Sequence, residues 1–325
     1  WLATTASAST VKELRLGGAI GLSGRLASSG LACQQGWTLW AERVNALGGL
    51  KLPNNEMYTI RLPLDLRDDT SSKPTSEQLL THMLDPASPN YAALDFVIGP
   101  FTSGFTKLNA AVAQARQKVL FSHGASESLY NSGNEYIFSA LTPGRKYMAS
   151  GLSMLYDLGA RSVVFAHESK SFSRSVCQGG NATANALGMR TLGYFEYPPG
   201  KRNFADILSD IKALGADIYV GCGHINDVNY LIGNANVLNV NPQAILVTHA
   251  SDVRIIENVG VPNSHGLLSP TQWDKGLTFS DDDGFFGTAL DFHNTFLQRW
   301  GIAPSYPAAY AAAMGYALGK AIERA

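Results

Sequence analysis

Two short loops carry residues whose types and spacing suit the binding of an anion. Thr102-Ser103-Gly104 and Ser122-His123-Gly124-Ala125-Ser126 are clusters of small and hydroxyl-bearing residues, each placed at the end of an apolar run. Hydroxyls together with backbone N–H groups at the start of a helix hold a carboxylate without any fixed positive charge. The plainer alternative is that Ser103 and Ser126 are only helix N-caps, worth about 1 kcal/mol each; the binding role is favoured, since a cap and an anion donor can be the same residue. A serine hydrolase is the less favoured reading. The chain has no GxSxG elbow, and no base with its orienting partner can be assigned to Ser103 or Ser126.

Other groups offer weaker chemistry. Cys222, His224 and His249 stand near the ends of apolar runs and imitate a zinc site, but no acid or second cysteine sits at ligand spacing. The three cysteines, Cys33, Cys177 and Cys222, are far apart with no CxxC pair, and read as separate small hydrophobes rather than a disulfide framework. Asp281-Asp282-Asp283-Gly284 lacks the alternation and closing glutamate of a calcium loop and reads as a solvated turn. Gly18, Gly21 and Gly24 are spaced like a dinucleotide fingerprint, yet no acidic residue ends a second strand, since Glu42 falls inside a helix. Asn181-Ala182-Thr183 is a glycosylation sequon that matters only in a eukaryotic secretory setting. The sequence calls for no metal and no cofactor.

The elements that must position the two loops follow from periodicity. From Leu94 to Ser126 the chain runs as an apolar stretch, a small-residue loop, a segment with Leu108, Val112 and Ala115 at helical spacing, then a second apolar stretch and loop. That is a βαβ unit with strands buried on both faces. Ligands of open parallel sheets bind beyond the carboxyl ends of the strands, where both loops fall. Strands are expected at Leu14–Ile20, Met57–Leu66 and Asn134–Leu141, with a helix over Leu31–Leu47 ending at Gly48-Gly49. After Thr142-Pro143-Gly144 the pattern starts again: a helix over Arg145–Leu158, then alternating strands and helices from Ser162 to Thr248. The expected fold is α/β, with two doubly wound parallel-sheet lobes joined by a hinge. Residues 1–141 form the first part of lobe 1, 142–272 form lobe 2, and 273–325 return to lobe 1.

Composition supports this and excludes several classes. With 325 residues, 45% hydrophobic and 16% charged, the chain can bury two full cores and is not disordered. Lys and Arg number 25 against 26 Asp and Glu, a net charge of −1, so no basic field exists to attract nucleic acid. No apolar stretch approaches the roughly 18 residues that span a bilayer. The lead WLATTASAST begins without methionine and carries no fold signal, as expected of a trimmed start or one just after a removed targeting segment.

The ordered set LRLGGAIGLSG, GWTLWAERVNALGGL, DDTSSKPTSEQLL, FVIGPFTSGFT, VLFSHGASESL, SVVFAHESKSFSRS, NFADILSDIKALGADIYVGCG and YPAAYAAAMGYALGKAIERA resembles the type I periplasmic binding proteins. Within them it is most similar to the branched-chain amino acid branch, which also covers receptor ectodomains. The resemblance implies a non-enzymatic, extracytoplasmic clamp that closes on a small polar solute, an amino acid or related carboxylate. It serves either an ABC-type transporter, with a permease as partner, or a sensory receptor with a C-terminal signalling domain. It implies that Ser103, Gly124 and Ser126 hold the ligand's carboxylate, and that Phe172 and His224 replace the family's aromatic residues of lobe 2, with Tyr147 near the hinge. The acid that receives an ammonium group has no clean counterpart; Asp252 is the candidate, displaced by one or two positions. The disulfide of some bacterial members near the first site has no cysteines here. Members of the family usually continue past the helix resembled by the last segment, which leads to the expectation of two crossings between lobes and an uncovered apolar strip.

Overall fold

The structure is a computed structural model that describes residues 11–131, 133–250, 253–281 and 283–325. The WLATTASAST lead lies outside the described residues. The chain divides into two units, the first made of the described residues up to Gly124, Leu129–Leu141 and Trp273–Ala325, the second of Ala125–Ser128 and Thr142–Gln272.

Alternating apolar runs and amphipathic segments build the first unit as β1 (Val11–Leu14), β2 (Leu16–Ile20), α1 (Ala27–Ala46), β3 (Leu50–Lys51), β4 (Met57–Ile60), β5 (Asp65–Asp68), α2 (Lys73–Leu84), β6 (Phe96–Phe101), α3 (Ser103–Ala115), β7 (Leu120–His123) and β8 (Ile137–Phe138). Its main sheet is parallel with order β5-β2-β6-β7-β8, beside a small sheet β1-β4-β3. Two expected strands are split between these sheets. In place of one strand over Met57–Leu66, β4 pairs with β1 and β5 with β2, because Pro63 has no N–H for a ladder and the chain changes sheet across it. The expected strand over Asn134–Leu141 shrinks to the two residues of β8.

The second unit repeats the plan with α4 (Ala149–Asp157), β9 (Ser162–Glu168), α5 (Ser171–Ala186), β10 (Arg190–Tyr197), α6 (Ala205–Leu214), β11 (Ile218–Cys222), α7 (Ile225–Val237), β12 (Ala244–Val247), α8 (Val253–Val259), α9 (Val261–Ser264) and β13 (Leu267–Leu268). The expected helix over Arg145–Leu158 is a 3₁₀ turn at Gly144–Lys146 followed by α4. Its parallel sheet runs β10-β9-β11-β12-β13. The chain then re-enters the first unit through α10 (Ala289–Trp300) and α11 (Tyr306–Arg324). Counted within each unit, both main sheets have strand order 2-1-3-4-5. Winding reverses between β2 and β6 in one and between β9 and β11 in the other, and the crevice at such a reversal is where doubly wound sheets bind ligands.

In the first unit, Trp37, Trp40 and Val44 of α1 are buried with Ala308, Met314 and Leu318 of α11. Gly36 permits this packing, since a Cβ there would lie 2.1 Å from the Ala308 carbonyl oxygen. Along the edge of the sheet, Phe121, Phe138, Met314, Leu318 and Ile322 line an apolar cavity of about 470 Å³. The second unit buries Val163, Val164, Phe165 and Ala166 of β9 completely, as a strand covered by helices on both faces requires.

The cysteines correct the sequence-based expectation. Cys33 is free and buried, but Cys177 of α5 and Cys222 at the end of β11 form a disulfide, with Cα atoms 5.8 Å apart across 45 residues. No local spacing announces it. The pair is brought together because α5 crosses the sheet over β11.

Candidate functional site

In the first unit, Ser103 and Gly124 meet at the carboxyl ends of adjacent strands. Ser103 opens α3 and is 1% exposed, following Thr102, whose φ of 77° turns the chain sharply out of β6. A left-handed threonine is strained, and the Thr106 hydroxyl bonding back to the Thr102 carbonyl at 2.9 Å closes the turn. Gly124 follows β7 in tight space: a Cβ there would sit 2.8 Å from Thr106 Oγ1 and 3.1 Å from Ser103 Cα. Its N–H donates to Ser122 Oγ at 3.1 Å and its carbonyl accepts from the Tyr130 hydroxyl at 2.5 Å. Both loops are held at the carboxyl ends of the neighbouring strands β6 and β7, next to the reversal between β2 and β6.

Three further residues shape this half. Lys73, the first residue of α2, lays its side chain against Gly104, its Nζ 2.9 Å from where a Cβ would be. The anion site expected to lack a fixed charge therefore has an ammonium beside it. Asp68, last in β5, accepts through Oδ1 from the N–H groups of Leu22, Ser23 and Thr70 at 2.8 to 3.0 Å, which ties the β2 loop to its neighbour. His123 is 3% exposed, packs against Tyr310 at 5.1 Å between ring centres, and burial pushes its imidazole down to about 3. Ser126 belongs to the short segment Ala125–Ser128 of the second unit, its Oγ 3.0 Å from that of Ser128.

The second unit gathers the remaining expected residues around a ring cluster. Phe172 in the first turn of α5 lies 5.5 Å from Tyr147, 5.5 Å from His224 and 6.1 Å from His249, ring centre to ring centre. The Tyr147 hydroxyl is paired with the Gln272 amide. Asp252 lies outside the described residues. The imitation zinc site of Cys222, His224 and His249 is corrected, because the Cys222 sulfur is committed to the disulfide.

What the sequence reading missed is Glu168. It is the last residue of β9, fully buried, and its two oxygens are divided between the Lys170 ammonium and His224 Nδ1, the latter at 2.6 Å. Burial alone would raise its carboxyl, but the hydrogen bonds and charges of His224 and Lys170 prevail and hold it at about 2. Nearby Asp227 is pushed up by burial and by the Glu168 charge, and accepts from the His224 N–H at 3.1 Å in a capping box that starts α7. Glu168, His224 and Asp227 place three potential metal ligands within 4.8 Å. With Lys170 already on Glu168, the group is a satisfied ion-pair network. Only a charged residue closing the apolar run SVVFAHE signalled it. The loop carrying His224 is fixed again by Thr248, whose Oγ1 accepts from the Gly223 N–H at 3.0 Å and donates to its carbonyl at 2.7 Å.

Two doubly wound units with small-residue loops at the carboxyl ends of their central strands have the architecture of a solute-binding fold. The model of the periplasmic binding protein family matches residues 13–325. The chain belongs to that family, type I, of the leucine/isoleucine/valine-binding kind, whose members bind ligands and are not enzymes. It is 20% identical over 255 residues to Leu/Ile/Val-binding protein homolog 8 of Brucella suis biovar 1, covering 75% of this chain and 60% of that protein. The chain thus spans about 60% of the length of that curated relative. Among solved structures it is similar to the branched-chain amino acid transporter substrate-binding protein LivJ of Streptococcus pneumoniae in complex with isoleucine, with TM-score 0.79, 18% identity and coverage of 96% of this chain and 84% of that one. The leucine-binding protein LivK of Thermotoga maritima gives 0.79, 17%, 95% and 83%. A solute-binding protein of R. palustris in complex with benzoate gives 0.73, 16%, 96% and 78%.

Proposed function

We propose that this protein binds a small carboxylate-bearing solute, an amino acid or organic acid, as the extracytoplasmic solute-binding component of an ABC-type transporter. The observation that carries the reading is the juxtaposition of Ser103 and Gly124 at the carboxyl ends of β6 and β7, beside the reversal of the first sheet. The start of α3 supplies N–H groups and a positive dipole end, and Ser103 supplies a hydroxyl. Ser126, Tyr147, Phe172 and His224 complete the ligand contacts in this reading, with Asp252 engaging an ammonium if the solute has one. The isoleucine, leucine and benzoate named for structural neighbours support a carboxylate as the shared feature. An extracytoplasmic site is supported by the family and by the disulfide, which persists in oxidising compartments. No helix among the described residues is long and apolar enough to cross a membrane. The partner is a permease that receives the loaded protein.

A thermal-shift screen across amino acids and small organic acids tests this. A true ligand at a hundredfold excess over its Kd adds about 2.7 kcal/mol of stability by linkage. A panel in which no carboxylate raises the melting temperature would sink the proposal.

A further inference from the structure

In the first unit the loop after β7 is locked by a ring of hydrogen bonds. The Gly124 N–H donates to Ser122 Oγ at 3.1 Å, Ser122 Oγ meets the Tyr130 hydroxyl at 3.1 Å, and that hydroxyl donates to the Gly124 carbonyl at 2.5 Å. The first of these bonds is buried. A residue has one backbone N–H, so Gly124 has none left for a solute. Its part is to leave room beside Ser103 and Thr106.

The start of α3 meets a charge without a partner. Helix starts favour acids, yet neither α2 nor α3 has an acidic residue in its first turn. A cation stands there instead: Lys73 is the first residue of α2, and its Nζ lies 2.9 Å from the place of a Cβ on Gly104, the residue after Ser103 in α3. An ammonium beside two helix starts is unfavourable by itself. The acids of the neighbouring segments do not relieve it. Asp68 accepts through Oδ1 from three backbone N–H groups, Asp69 is fully buried and accepts from the Ser71 N–H at 2.9 Å, and Glu77 lies one turn along α2. Among the described residues no carboxylate comes within 4.0 Å of Lys73 Nζ. In number these three acids match Arg25, Lys73 and Lys107, so position decides. The Lys73 side chain is exposed, whereas Asp69 is buried and Asp68 is turned to the backbone.

We infer that Lys73 is the charged donor of the carboxylate site in the first unit and its specificity-determining residue, selecting an ionised acid over the uncharged amide of the same shape. This rests on the reading that a carboxylate is taken at Ser103 and the start of α3. An ammonium has three N–H donors and no acceptor. It therefore attracts both carboxylate oxygens and opposes the NH₂ of a carboxamide, which supplies attraction and rejection from one side chain.

The test is calorimetric titration of the intact chain with leucine, isoleucine and benzoate, each against its carboxamide. At least one acid should bind tighter than its amide by about tenfold or more. Lys73→Met should weaken that acid by about ten- to a hundredfold, the value of one hydrogen bond to a charged group, and leave the amide unchanged. Lys73→Arg should restore part of the loss. Added salt should weaken binding of the acid, and should do so less in Lys73→Met. Because this charge opposes the helix starts, Lys73→Met without ligand should melt no lower than the parent chain. A lower melting temperature with acid and amide weakened alike would assign Lys73 a structural role and overturn the inference. An acid bound no tighter than its amide, or a ratio unchanged in Lys73→Met, overturns it as well. If Ser103→Ala removes binding of an acid and Lys73→Met does not alter it, this inference fails while the carboxylate reading stands. If no acid binds, both fail.

Discussion

Cys177 and Cys222 are joined by a disulfide that ties the middle of α5 to the last residue of β11, two positions before His224. A covalent link across 45 residues restricts the unfolded chain, which in the loop-entropy account is worth about 2 to 4 kcal/mol. It also anchors the loop on which His224 depends. Stability and site geometry are therefore linked in the second unit.

The double variant Cys177→Ala, Cys222→Ala should lower the urea midpoint by an amount equal to about 2 to 4 kcal/mol, with the loss confined to the second unit. Hydrogen exchange resolves where it falls. Equal loss of protection in α1 and α11 of the first unit would contradict this.

Ser103→Ala should weaken any carboxylate ligand by about ten- to a hundredfold, the value of one hydrogen bond to a charged group. Its melting temperature without ligand should change little compared with the binding loss. Unaltered affinity of an established ligand in both Ser103→Ala and Ser126→Ala would show these loops to be misassigned.

Gly124→Ala forces a methyl group to within 2.6 Å of Leu129 Cδ1 and 2.8 Å of Thr106 Oγ1. Overpacking of this kind costs about 1 to 3 kcal/mol, and the shift it imposes on the β7 loop should reduce carboxylate binding as well. Titration and denaturant unfolding of the same variant measure both effects.

His123 gives a pH dependence with a definite sign. Its imidazole is held at about 3 in the folded state by burial, against about 6.5 when unfolded. Between these values the unfolded chain binds the extra proton, so the contribution is complete above pH 6.5 and is lost as pH falls toward 3. One proton gives a slope of at most about 1.4 kcal/mol per pH unit. His123→Phe should flatten the stability curve between pH 6.5 and 5, above the range in which carboxylates such as Glu168 take up protons. An unchanged slope would mean that His123 is not the group responsible.

The α/β alternation, its restart after Gly144 and the two small-residue loops were legible in the sequence because they are local: hydrophobic period, turn residues and chain order suffice to read them. The loops that carry Ser103 and Gly124 could be read from their place at strand ends, and the family resemblance singled out those two residues within them. The tertiary structure alone decided which strands share a sheet, so Met57–Leu66 divided at Pro63. It alone paired Cys177 with Cys222 and closed Glu168 on Lys170 and His224. Those contacts join residues brought together by crossover connections, and Glu168 is fully buried at the end of an apolar strand, where a charge is ordinarily excluded. A buried acid is tolerable only with its partners in place, and the fold supplies them.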